Sequence, residues 1–274
     1  MPRYRPPGVI PLELWDLRLG DRILWDTIRE LDFPAHLFAS LRELHAGRGE
    51  TRSEGPVPPA VKGFDAVFLC GGSAYDEALH VEAARAPWPV IISGHGPFIG
   101  EGGGRHLLQL HGFSGIVADL GQTTLKVSAV AGNETTRRWT FPRDLKRLRM
   151  RPLVPEEEFP AQRRELREFL GESLIQCAAE SPTNVDALVL ALPGRLDDVG
   201  IPEGSSYAGM ADDARLIPDS LEIAKLSDLP SWLMNDAELA AMSARLHPET
   251  AAYRRTLVLT LGFGIGAALL INET

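Results

Sequence analysis

Cysteine is nearly missing from this sequence: Cys70 and Cys177 are the only two in 274 residues. They stand in no metal-ligand spacing, which excludes a thiolate metal site, and no positively charged start runs into an apolar leader. A reducing cytoplasm is the resulting expectation. Basic excess is lacking too, since 28 Lys and Arg face 37 Asp and Glu for a formal charge of −9. Without a clustered basic face the chain is not expected to bind nucleic acid, and any phosphate it takes should be small. Long apolar runs are also missing. None approaches the roughly 20 residues that cross a bilayer, and 257–272 is short and interrupted by three glycines, so no membrane partner is expected. What remains is an ordinary globular balance, 44% hydrophobic and 24% charged, long enough for two modest cores.

Apolar runs and glycine turns divide the chain into α/β segments. Residues 10–19 read as a strand, 22–45 as a helix broken at Pro34, and 47–59 as a loop. A strand at 64–69 ends at Gly71-Gly72 and leads into a helix at 75–84. A second strand at 89–93 leads through a glycine-laden turn, with Gly100 and Gly102 to Gly104, into a helix ending at Leu110. From Gly115 the pattern changes to a hairpin, 116–119 and 125–130, around a polar glycine turn. An amphipathic helix at 155–180 and a strand at 185–191 follow, then an irregular segment to Leu229. The chain closes with a strand at 232–234, a helix at 237–246 and a second glycine-turned hairpin, 256–261 and 267–272.

Three stretches could carry chemistry. Asp119-Leu120-Gly121-Gln122-Thr123 suits a phosphate loop: glycine lets backbone N–H groups approach oxygens, threonine adds a hydroxyl, and the carboxylate can hold hydrated Mg²⁺. A hairpin turn with a capping aspartate explains the same residues. Gly262-x-Gly264-x-Gly266 could cradle a phosphate or merely turn a hairpin. Asn235-Asp236 falls where a strand ends and a helix starts, the edge where open α/β sheets gather ligands. Helix capping is the rival reading there.

Taken together these stretches resemble the ROK group of sugar kinases and related proteins, within the actin, sugar kinase and Hsp70 superfamily. Residues 119–126 resemble that group's first phosphate motif, D-x-G-G-T-K-x-K, and 191–197 its P-G-x-V-D segment. Asn235-Asp236-Ala237-Glu238-Leu239-Ala240-Ala241 is similar to N-D-A-N-x-A-A, and 261–266 to the second phosphate motif, L-G-T-G-I-G. The adenosine motif that would follow instead resembles residues 64–110, at the front. The resemblance therefore implies a two-lobed actin-like ATPase (ribonuclease H-like) α/β fold with circularly permuted segment order. Residues 1–114 would form the permuted C-terminal-type lobe, 115–255 the N-terminal-type lobe, and 256–274 a hairpin returning to the first.

By the same resemblance the activity is ATP-dependent phosphorylation of a sugar hydroxyl, on a hexose or amino sugar. Asp236 would be the base, with Asn235, Gly194 and Ser206 at the sugar. Asp119 would hold Mg²⁺ through water. Gly121, Gln122, Thr123, Gly262, Gly264 and Gly266 would grip the phosphates of ATP, and Gly71, Gly72 and Gly103 would lie along the nucleoside. A homodimer is implied only by the resemblance. Gln122 stands where the group has glycine, Thr124 where it has lysine and Phe263 where it has threonine. These departures keep open a non-catalytic sugar or nucleotide sensor, or another ATPase or acyl kinase of the superfamily.

Overall fold

The computed structural model describes residues 3–12, 33–46, 63–94, 96–121, 123–143, 155–203, 209–210, 212–262 and 265–272. In chain order its elements are β1 Val9–Leu12, α1 Phe33–His45, β2 Ala66–Cys70, α2 Glu77–Ala84, β3 Val90–Ile92, α3 Ile99–Leu110, β4 Gly115–Leu120, β5 Thr124–Ala131 and β6 Glu134–Pro142. There follow α4 Phe159–Glu180, β7 Ala187–Leu192, α5 Leu216–Ala224, β8 Ser231–Asn235, α6 Asp236–Arg245, β9 Arg255–Leu261 and β10 Ile265–Ile271.

The chain divides into two compact units, Met1–Arg5 with Gly100–Leu239, and Pro6–Ile99 with Ala240–Thr274. The first unit holds a five-stranded sheet in the order β6-β5-β4-β7-β8. Its β4, β5 and β6 pair antiparallel, while β4 pairs parallel with β7 and β7 with β8. The second unit's sheet has the order β1-β10-β9-β2-β3, antiparallel from β9 through β10 to β1 and parallel from β9 through β2 to β3.

Read from β9, the second sheet repeats the first strand for strand. Helices recur at the same places: α1 and α4 after the third strand, α2 and α5 between the fourth and fifth, α3 and α6 after the fifth. In the second unit the chain order is rotated so that it opens on the third strand, β1. The boundary between units falls inside both final helices, α3 and α6.

Burial accounts for the strand sequences. Every residue of β2 and of β7 is buried, so these strands read as unbroken apolar runs, as strands covered on both faces do. In the second unit Phe38, Leu41, Phe64, Val67, Leu257 and Leu269 form one core, and each large side chain so buried contributes about 1.5–3 kcal/mol of transfer free energy. In the first unit, a Cβ on Gly104 of α3 would stand 2.4 Å from Val117 of β4, and one on Gly171 of α4 would stand 2.6 Å from Ile223 of α5. Glycine at these points lets each helix approach its neighbour.

Of the strand expected at 10–19 the described part is β1, and the remainder lies outside the described residues. Pro34 falls in the first turn of α1, where its missing N–H costs nothing, and the part of the expected helix before Phe33 lies outside the described residues. Two expectations need correction. The stretch read as irregular before Leu229 contains α5, whose Leu216, Ile217, Ser220, Leu221 and Ala224 are buried along one stripe. The strand β6 was not anticipated: it is an edge strand, largely exposed, with only Trp139 buried.

Candidate functional site

In the first unit the parallel strands β4, β7 and β8 end side by side, and the polar motifs follow their carboxyl ends. Asp119 pairs in register with Lys126 of β5 on one side and Ala191 of β7 on the other. Lys126 Nζ donates to Asp119 Oδ2 at 3.1 Å, and both side chains are largely shielded. The turn between β4 and β5 is closed by its own backbone, for Gly121 N–H donates to Thr124 O at 2.9 Å. A Cβ on Gly121 would stand 2.9 Å from that same oxygen. Arg143, just after β6, grips the turn from outside: its N–H donates to Thr123 O at 2.7 Å and its Nη1 to Gly121 O at 3.0 Å. The Gly121 N–H is therefore spent inside the turn rather than offered outward.

Asn235 ends β8 and Asp236 opens α6. The Asn235 side chain accepts from Ala237 N–H at 2.8 Å, while Glu238 Oε2 accepts from Asn235 N–H at 2.9 Å. This reciprocal pair is a capping box, which satisfies donors that a helix start leaves orphaned. The same asparagine donates from Nδ2 to Gly194 O at 2.5 Å, tying the corner to the turn after β7. Gly194 has φ +89°, a conformation costly for any side-chain-bearing residue.

Asp236 is half-buried. Desolvation by the surrounding protein pushes its carboxyl up to about 7, and the nearby negative charge of Asp119 adds to the rise. Hydrogen bonding from Ala237 N–H, the Lys126 cation and the Asn235 side chain act the other way. A carboxyl poised near neutrality beside a second, ion-paired carboxylate can accept a proton at working pH.

In the second unit the glycine turns follow the carboxyl ends of β9 and β2. Gly71 has φ +95°, and a Cβ there would stand 2.5 Å from Leu261 O, so only glycine lets this turn lie against the end of β9. Ser73 Oγ donates to Gly262 O at 3.4 Å, joining the Gly71-Gly72 turn to the start of the β9–β10 turn. A Cβ on Gly72 or on Gly94 would meet nothing within 4 Å. Tyr75 bridges this region to the next loop, its hydroxyl accepting from Gly96 N–H at 2.7 Å and donating to Ser93 O at 3.2 Å.

The structure thus brings Asp119, Gly121, Thr123, Gly194, Asn235 and Asp236 to one edge of the first unit's sheet, and Gly71, Gly72 and Gly262 to one edge of the second's. Gly266 stands in β10 opposite Thr260. Gly103 is buried in α3, within the first unit. Gln122, Ser206, Phe263 and Gly264 lie outside the described residues. Lys126, Glu238 and Arg143 were not singled out from the sequence. A glutamate in a first helical turn reads as dipole complement; the local signals were Lys126 at the last lysine of the first phosphate motif and the N-x-x-E spacing of the capping box at Asn235 and Glu238.

Two five-stranded sheets of this mixed order, each with helices at the same places, make a mixed α/β fold built from two copies of one strand-and-helix pattern. No family model matches the sequence, and no curated protein matches it. Solved structures do. A ROK hexokinase from Thermus thermophilus is similar over 58% of this chain and 47% of its own, at 21% identity and a TM-score of 0.39. An inorganic polyphosphate/ATP-glucomannokinase from Arthrobacter sp. strain KM is similar over 58% of both chains, at 21% identity and a TM-score of 0.40. A Ppx/GppA family member from Aquifex aeolicus is similar over 85% of this chain and 86% of its own, at 13% identity and a TM-score of 0.41. The match thus spans about half the length of the two sugar-kinase chains, 47% and 58%.

Proposed function

We propose that this protein transfers the terminal phosphoryl group of ATP to a hydroxyl of a hexose or amino sugar, with Asp236 as general base. The observation that carries the reading is the Asp236 carboxyl, placed at the carboxyl edge of the sheet and pushed up to about 7. A base with that affinity is largely ionised just above neutrality yet still basic enough to take a hydroxyl proton as the oxygen attacks. The first-turn N–H groups of α6 favour the negative form. Asn235 fixes the corner through its two hydrogen-bonding partners and, with Gly194, would meet the sugar in this reading, while Ser206, also expected there, lies outside the described residues.

The residues fit ATP and Mg²⁺. Gly72 and Gly94 leave open space where a side chain would stand, and Gly71 brings their turn against β9. Among the described residues no group of three or more acidic, histidine or cysteine side chains could cage a cation. A lone carboxylate such as Asp119 suits Mg²⁺ held mainly by phosphates and water. When bound, ATP supplies the phosphoryl group and Mg²⁺ offsets its charge, ADP leaving as the new P–O bond forms. Thr123 would offer its hydroxyl to a phosphate oxygen, whereas Gly266 stands in β10 and Gly264 lies outside the described residues. Asp236 holds the proton taken from the sugar oxygen and returns it to water.

In this reading the rotated strand order of the second sheet is a circular permutation of the sugar-kinase order. Of the residues 1–114 and 256–274 assigned to the nucleotide side, 6–99 and 256–274 lie in the second unit, whereas 1–5 and 100–114 lie in the first with 115–239. No helix among the described residues is long and apolar enough to cross a membrane; in this reading the protein is a cytoplasmic small-molecule kinase that pairs with a second copy of itself.

The test is ADP release from Mg·ATP by the purified protein across hexoses, amino sugars and N-acetylated sugars. Sugar-dependent release supports the proposal and gives the substrate class. Binding of a sugar or ATP with no sugar-dependent release overturns it in favour of a non-catalytic sensor.

A further inference from the structure

The Arg3 side chain touches both the first turn of α6 and the segment after β7. Its Nη2 donates to Glu238 Oε1 at 2.6 Å and its Nη1 to Leu196 O at 2.6 Å. The Arg3 and Glu238 side chains are 7% and 1% exposed. The backbone is anchored as well: Arg3 forms a parallel bridge with Leu233 of β8, and Tyr4 N–H donates to Leu233 O at 2.7 Å.

From Glu238 the connection runs on without a gap. Its other oxygen receives the Asn235 N–H, and Asn235 in turn holds Ala237 N–H and Gly194 O. Leu196, on the far side of the guanidinium, lies two residues beyond Gly194. A planar guanidinium that donates to a carboxylate and a carbonyl at once fixes their relative position in a way a single point charge does not. A buried glutamate also needs such a cation, because a charge left there without a partner is costly.

We infer that Arg3 is a positioning residue for the Asn235-Asp236 corner. It holds the buried Glu238 that closes the capping box, and it locks the turn after β7 to the start of α6. It touches neither substrate nor reacting atoms, and it acts through Glu238 and Leu196. This inference rests on the kinase reading for its effect on turnover, though not for its effect on structure.

The experiment compares the full-length protein with Arg3→Met and with the double variant Arg3→Met/Glu238→Gln, the second removing the orphaned charge should the first fail to fold. Amide hydrogen exchange is followed at Asn235, Ala237 and Asp197, with Val117 and Val127 of the β4–β5 hairpin as references. In Arg3→Met, exchange at Asn235 and Ala237 should accelerate about tenfold or more, with the references unchanged. In the double variant Asp197 should still exchange faster, because the tie to Leu196 is gone. In both, kcat for sugar-dependent ADP release should fall about tenfold with KM for ATP nearly unchanged. Unchanged exchange at these amides, or a loss of thermal stability with kcat of the folded protein intact, overturns the inference. If the unsubstituted protein shows no sugar-dependent release, the kinase reading fails, and the exchange pattern alone decides the role of Arg3.

Discussion

Lys126 Nζ lies 3.1 Å from Asp119 Oδ2, directly across the β4–β5 pair, and both groups act on Asp236 with opposite sign. Asp119 raises the affinity of the Asp236 carboxyl for its proton, and Lys126 lowers it. Removing the like charge with Asp119→Asn should therefore bring the Asp236 pKa down from about 7. Removing the cation with Lys126→Met should move it up. A ¹³C-carboxyl NMR titration of the metal-free protein measures both shifts, and equal values in the two variants would contradict the arrangement.

Asp236 should also limit stability. The unfolded chain carries an ordinary aspartate that titrates near ~3.9, whereas the folded chain binds its proton up to about 7. Between those values the folded state holds a proton that the unfolded state lacks, so this group's favourable contribution is complete below about pH 4 and is lost as pH rises through 7. The full elevation corresponds to at most ~4 kcal/mol, and the solvent-facing edge of the side chain reduces it to roughly 1–3 kcal/mol. Asp236→Asn should accordingly stabilise the metal-free protein by that amount at pH 8 and by less at pH 5. Thermal melts at the two values check the sign, and a variant less stable than its parent at pH 8 would refute it.

Asn235→Ala and Asn235→Asp separate the two jobs of that side chain. Alanine loses the cap on Ala237 N–H and the bond to Gly194 O, and should cost about 1–2 kcal/mol in chemical denaturation. Aspartate keeps a capping oxygen, but it cannot donate to Gly194 O and adds a third carboxylate beside Asp119 and Asp236. It should be the more stable of the two variants at pH 5 yet still lack turnover. Turnover by Asn235→Asp comparable to the parent would show that the amide donor is dispensable.

Gly71→Ala tests the close approach in the second unit. The position has φ +95°, and the new Cβ would stand 2.5 Å from Leu261 O, a backbone atom that cannot swing aside. A loss of about 2–3 kcal/mol is expected, with weaker ATP binding by calorimetry. Gly72→Ala, where a Cβ meets nothing within 4 Å, should leave stability nearly unchanged while lowering nucleotide affinity.

Much of this was legible in the chain itself, and the reasons are local. The buried runs of β2 and β7, and the glycine turns at Gly71 and Gly121, announce strands and reversals within a few residues. The strand β6 was hidden because an exposed edge strand with one buried Trp139 carries no alternating apolar signal. The helix α5 was hidden because it is short and holds Pro218 in its first turn. At the candidate site, the acid-and-glycine motifs could be read, whereas their wiring could not. Arg3 reaches Glu238 across 235 positions of sequence, and Lys126 finds Asp119 only once β4 and β5 are paired in register. Such pairings are set by topology rather than by neighbouring residues.

The central claim is that Asp236 takes the proton of a sugar hydroxyl during phosphoryl transfer. Its most direct measurement is the initial rate of sugar-dependent ADP release by the protein and by Asp236→Asn, with ATP affinity determined on the same preparations. The account predicts a rate lower by about 10²–10⁴ in the variant with ATP affinity preserved. A variant that retains most of its rate, or a parent that no sugar stimulates, would contradict it.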